Sequence, residues 1–78
     1  MDFAWAELRQ GHAEAALAHF ESLPESAETL IGQASALSRL RRHQEAVRVL
    51  ERARELEPES PRIQALLSSE RFRSEEKP

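Results

Sequence analysis

Three histidines, His12, His19 and His43, are the side chains in this sequence that invite a metal-binding reading. His12 and His19 stand seven apart, about two helical turns, too far to share an ion on one helix. The close pairing of a zinc site such as His-Glu-x-x-His is absent. There is no cysteine, which excludes thiol chemistry, disulfides and cysteine-ligated metals. The two glycines, Gly11 and Gly32, cannot build a phosphate-cradling loop, and no Gly-x-Ser-x-Gly elbow presents a nucleophile. The glutamates recur at helical spacing and read as surface charge. The sequence therefore predicts no catalytic site, no metal and no cofactor.

What remains is binding chemistry. Residues 1–38 carry one arginine against six acids, residues 39–54 six arginines against two glutamates, and residues 55–78 four basic against six acidic groups, for a net charge of −3. An acidic chain with one short basic block is a poor match for nucleic acid, which calls for a basic surface overall. The run Arg39-x-Arg41-Arg42-His43 is better explained as a solvated turn that complements the negative end of the helix before it. Trp5, the only tryptophan, sits with Phe3 and Leu8 on a short helical stretch. An aromatic there either anchors a partner or a second copy of the chain, or packs on the next helix. Phe3 is expected to pack, and Trp5 suits either role.

These side chains need elements to hold them. Seventy-eight residues make one small domain of marginal stability. Asp2 to Arg9 is helix-friendly, and Gly11 marks a turn. His12 to Leu23 follows with an apolar stripe of Ala13, Ala16, Leu17, Phe20 and Leu23. Pro24 ends it, and Ser26 is an N-cap for a helix from Ala27 to Leu40, striped by Leu30, Ala34 and Leu37 and widened by Ile31 and Leu40. Gly32 within that helix reads as a close-packing site. Gln44 to Leu56 carries Ala46, Val47, Leu50, Ala53 and Leu56 on one face. Ser60-Pro61 starts a last helix to Arg73, with Ile63, Leu66, Leu67 and Phe72. No stretch alternates with period two, so the chain is expected to be all-α, with five helices in a single domain over residues 1–73 and a charged flexible tail over 74–78. No run approaches the ~20 apolar residues of a membrane span. The start, MDFAWAELRQ, is unlike a signal peptide. The expected location is the cytoplasm, without membrane contact.

Sliding the chain by thirty residues lays Arg9–Leu23 on Arg39–Ala53, with Ala16 on Ala46, Phe20 on Leu50 and Leu23 on Ala53. A small residue at a helix crossing followed by a large one a turn later is what close packing needs. In these residues the sequence resembles the tetratricopeptide repeat family: Leu30, Gln33-Ala34 and Leu37, then Ala46-x-x-x-Leu50, Ala53 and Pro58. The second half of that signature is well matched. In the first half Gln33, Ala34 and Leu37 replace leucine, glycine and an aromatic. The earlier copy keeps RQGHAEAA and Phe20, with a second helix about one turn shorter. The last helix resembles a further first helix, acting as a cap.

The resemblance implies about two and a half repeats in a short right-handed solenoid of helical hairpins, and non-catalytic protein binding. It also implies a concave groove lined by the first helix of each pair, here Trp5 and Arg9, then Ile31, Ser35, Ser38 and Arg39, then Arg62, Ser69 and Arg73. Arginines outnumber acids there, with Glu28 the nearby exception, so an acidic peptide or a C-terminal carboxylate is the expected ligand. The lysine and asparagine clamp of one family subgroup is absent, since the chain has no asparagine and only Lys77. The alternative is a self-assembling scaffold, most simply a homodimer that covers exposed end faces.

Overall fold

The computed structural model describes the backbone of residues 2–75 and the side chains of residues 5–75. It contains helices α1 (Asp2–Arg9), α2 (Ala13–Ser22), α3 (Ala27–Arg39), α4 (His43–Leu56) and α5 (Pro61–Glu75), with no strand among the described residues. Each helix packs chiefly on its neighbours in sequence, α1 on α2, α2 on α3, α3 on α4 and α4 on α5. Such an arrangement is a solenoid of hairpins, as expected. Helix α5 runs two residues past Arg73, and the rest of the tail lies outside the described residues, as does the Phe3 side chain.

The helix boundaries follow from local chemistry. Ser26 Oγ accepts from the Thr29 amide at 3.2 Å, and Thr29 Oγ1 accepts from the Ser26 amide at 2.9 Å, a reciprocal cap that closes the start of α3. At α5 the Ile63 amide donates to Ser60 Oγ at 3.3 Å, with Pro61 in the first turn where no amide hydrogen is needed.

The thirty-residue repeat is written into the backbone. Gly11 and Arg41 both adopt the left-handed conformation, at φ 87° and 63°. In the first turn the His12 amide donates to the Glu7 carbonyl at 2.9 Å and the Gly11 amide to Leu8 at 3.1 Å. In the second, Arg42 donates to Leu37 at 2.9 Å and Arg41 to Ser38 at 3.0 Å. This is the same C-terminal cap twice, and it leaves His12 and Arg42 with nearly identical dihedrals. Glycine tolerates that conformation, whereas a side chain costs about 1–2 kcal/mol there. Arg41→Gly is therefore expected to raise stability by roughly 0.5–1 kcal/mol after the entropy of glycine in the unfolded chain is subtracted. A urea midpoint equal to or below that of the parent would contradict this account of the turn.

The core is continuous along the stack, from Leu8 through Ala16 and Phe20 to Leu50, Ala53, Ile63 and Leu67. Ala16 and Ala46 are both fully buried, and so are Phe20 and, nearly, Leu50, so the predicted overlay holds in three dimensions. The Phe20 ring lies against Gly32, where an added Cβ would collide with it. That is the packing role expected of Gly32. Helix α2 has 10 residues and α4 has 14, the one-turn difference read from the sequence.

Two apolar expectations are corrected. The periodicity of α4 predicts Leu56 on its apolar face, but Leu56 is 43% exposed, because its turn ends the helix among Arg54, Glu55 and Glu57, all on the surface. Phe72 is 69% exposed, since α5 is covered by α4 on one side only.

Candidate functional site

The hairpin topology runs α1, α3 and α5 in one direction, with the C-terminal ends of all three at the same edge as the N-terminal ends of α2 and α4. Each of these parallel helices has an arginine in its last turn: Arg9, Arg39 and Arg73. A cation there complements the partial negative charge of the helix end. That accounts for their placement before any ligand is invoked.

Between α3 and α5 lies an open cleft of about 370 Å³. Its lining brings together half-buried Leu66, lying over the core side chains Ala34 and Leu50, as its apolar part, Ser35, Ser38 and Ser69 as hydroxyls, and Arg39, Glu70 and Arg73 as charges. Five of the expected groove residues therefore meet: Ser35, Ser38, Arg39, Ser69 and Arg73. The other four do not line it. Ile31 is the clear correction: it is 4% exposed and belongs to the core, because α3 is packed on both sides, by α2 and by α4. Trp5 is half-buried against Phe20 in an edge-to-face contact, with centroids 5.0 Å apart and planes at 73°. That contact places it in the packing of the first hairpin. Arg9 is exposed at the end of α1, and Arg62 lies 3.8 Å from Glu28 at the start of α3.

Glu70 departs from the surface role that helical spacing predicts for the glutamates. It is 5% exposed and joins three helices. One carboxylate oxygen lies 2.9 Å from His43 Nδ1 on α4. The other accepts from Ser38 Oγ on α3 at 3.0 Å and lies 3.5 Å from the Arg73 guanidinium, which also donates to Ser38 Oγ at 3.1 Å. A buried carboxylate survives only with such partners. The signal was present in the sequence: Glu70 falls on the stripe of Ile63 and Leu67, at steps of four and three. In the register that lays the Ser60 cap on that of Ser26, it answers to Ala36, which is fully buried.

The network fixes Arg73 at the cleft wall while leaving the site with net positive charge, two arginines against one glutamate. Arg39 makes no ion pair among the described residues. Arg42 differs: it donates two hydrogen bonds to Glu45, at 2.6 and 2.7 Å, which holds the Glu45 carboxyl below its usual range. The basic turn is thus half neutralised within itself. Across the first hairpin, Glu7 pairs with His19. Among the described residues no three acidic, histidine or cysteine side chains gather as metal ligands, and no helix is long and apolar enough to cross a membrane.

A family model described as tetratricopeptide repeat matches residues 7–69. No curated protein and no solved structure matches the chain.

Proposed function

The chain belongs to the tetratricopeptide repeat family, whose repeats are in general protein-interaction modules, and from that membership we propose that it is a non-catalytic module that holds a peptide or helix in the cleft between α3 and α5. The observation that carries this reading is the cleft itself, an apolar floor offered by Leu66 above buried Ala34 and Leu50, rimmed by three serine hydroxyls and two arginines. Hydroxyls give adaptable hydrogen bonds, the floor takes an apolar side chain, and the arginines favour carboxylates. The ligand is therefore a protein segment with acidic character, met in the cytoplasm.

Reversing both charges, Arg39→Glu with Arg73→Glu, is expected to weaken binding of an acidic, apolar-containing peptide by at least about tenfold at low salt, and to reverse its salt dependence, so that added salt strengthens the binding that remains. Fluorescence anisotropy of a labelled peptide measures this. Arg62→Glu, outside the cleft, serves as the control and leaves affinity within about twofold. Equal affinity for the parent and the double variant would remove the cleft from the mechanism.

A further inference from the structure

The chain itself displays a segment with the chemistry that the cleft requires. Residues 55–59 read Glu-Leu-Glu-Pro-Glu. They form the end of α4 and the start of the turn into α5. Leu56 is 43% exposed, one of two large apolar side chains left open to solvent among the described residues. It is flanked by Glu55, which shares Arg52 at 3.0 Å, and by Glu57. Neither Glu57 nor Glu59 makes an ion pair among the described residues.

Resting on the cleft reading above, we infer that the occupant of the cleft is this corner of a second copy of the chain, with Leu56 on Leu66 at the cleft floor and Glu55 and Glu57 toward Arg39 and Arg73. Charge and shape both match: an apolar side chain between carboxylates meets an apolar floor between guanidiniums. The match cannot be satisfied within one molecule. The cleft is bordered by Ala34 to Arg39 in the C-terminal half of α3 and by Leu66 to Arg73 of α5, whereas the corner sits at the C-terminal end of α4, which runs back along α3. The contact therefore joins two copies, and it either closes reciprocally as a two-fold dimer or adds copies head to tail. Proline at 58 stiffens the corner and lowers the ordering cost of seating it. Phe72, the other exposed apolar side chain, lies on the outer face of α5 with no carboxylate beside it in sequence, between Arg71 and Arg73. It lacks the acidic flanks that the cleft selects.

The test is the solution mass, by light scattering over a hundredfold range of concentration, at low and at high salt. The parent is expected to rise above its 8.9 kDa monomer mass with concentration at low salt and to return toward it at high salt. A cleft variant (Arg39→Glu with Arg73→Glu) and a corner variant (Leu56→Ser with Glu57→Lys) each associate at least about tenfold more weakly alone. Mixed in equal amounts they form a one-to-one dimer and nothing larger, because one good cleft and one good corner remain. All the replaced side chains are exposed; because Arg73 also serves buried Glu70, Arg39→Glu alone is the second cleft variant, expected to weaken association in the same direction, and unchanged helical circular dichroism checks the fold. A parent that stays monomeric throughout overturns the inference. So does association that survives in the corner variant but is lost in Phe72→Ser, which would assign the contact to α5. A synthetic Glu-Leu-Glu-Pro-Glu-Ser peptide separates the two levels. Peptide binding to a monomeric parent leaves the cleft reading standing and removes self-assembly, whereas no binding and no association remove both.

Discussion

Phe20→Ala is expected to leave the protein largely unfolded at physiological temperature. The ring is fully buried, receives the edge-to-face contact of Trp5 and lies on Gly32 of the next hairpin, so it ties α1, α2 and α3 together. Truncating a buried phenylalanine costs about 3–5 kcal/mol in lost transfer energy and cavity formation. A core in a domain of this length rarely supplies more than about 3–5 kcal/mol in total. The loss is therefore comparable to the whole stability. Urea unfolding followed by circular dichroism gives the magnitude, and Trp5 emission reports the same event locally, shifting to the red as its partner disappears. Gly32→Ala probes the contact from the other side. It gains up to about 1 kcal/mol of helix propensity but drives a methyl into a ring with no room to move, at a cost of about 1–3 kcal/mol. The net effect is expected to be destabilising. If Phe20→Ala cost under about 1 kcal/mol with Trp5 emission unchanged, the ring would not be the tie between hairpins.

Glu70→Ala carries the second large effect, expected at about 2–3 kcal/mol. Removing one member of a buried charged pair typically costs about 3–5 kcal/mol because the partner is left uncompensated. Here the cost is smaller, since Arg73 is about half exposed and can turn to water, while His43 and Ser38 lose their acceptor. Glu70→Gln keeps an acceptor for the Ser38 hydroxyl and should cost only about 1 kcal/mol. The order of the two variants is the diagnostic result. Equal losses would mean that burial of the side chain's bulk matters and its oxygens do not. The glutamine variant also tests the charge balance of the cleft: without the carboxylate, Arg39 and Arg73 stand unopposed. Acidic-peptide affinity should then rise about threefold at low salt, an effect that salt erases.

How far the sequence reaches is visible in particular residues. Ser26, Ser60-Pro61 and Gly11 set helix ends within a residue or two, because capping is settled between atoms three or four positions apart. Arg41 shows that limit: it takes the same left-handed turn as Gly11, although its residue type gives no hint, because the hairpin geometry imposes it. Ser35, Ser38, Arg39, Ser69 and Arg73 were placed on a common surface by the repeat pattern, and the fold brings them to one cleft. Ile31 keeps the place in the core that the apolar stripe gives it and leaves the groove that the resemblance implies, whereas Leu56 leaves the core.

The sequence by itself determined the five helices, the turns between them, the thirty-residue repeat and the packing of Ala16, Phe20, Ala46 and Leu50, since periodicity and caps are local and the small–large pairs are complementary in volume. Tertiary structure decided the rest. Helix α3 has neighbours on two sides and α5 on one, so Leu30, Ile31 and Leu37 are buried, whereas Gln64, Ala65 and Arg71, which answer to them in the capping register, face water. The same stacking closes α4 and α3 over Glu70, turning one glutamate among many into the buried anchor of a three-helix junction. Burial is a property of what lies across from a residue, and only the assembled stack supplies that.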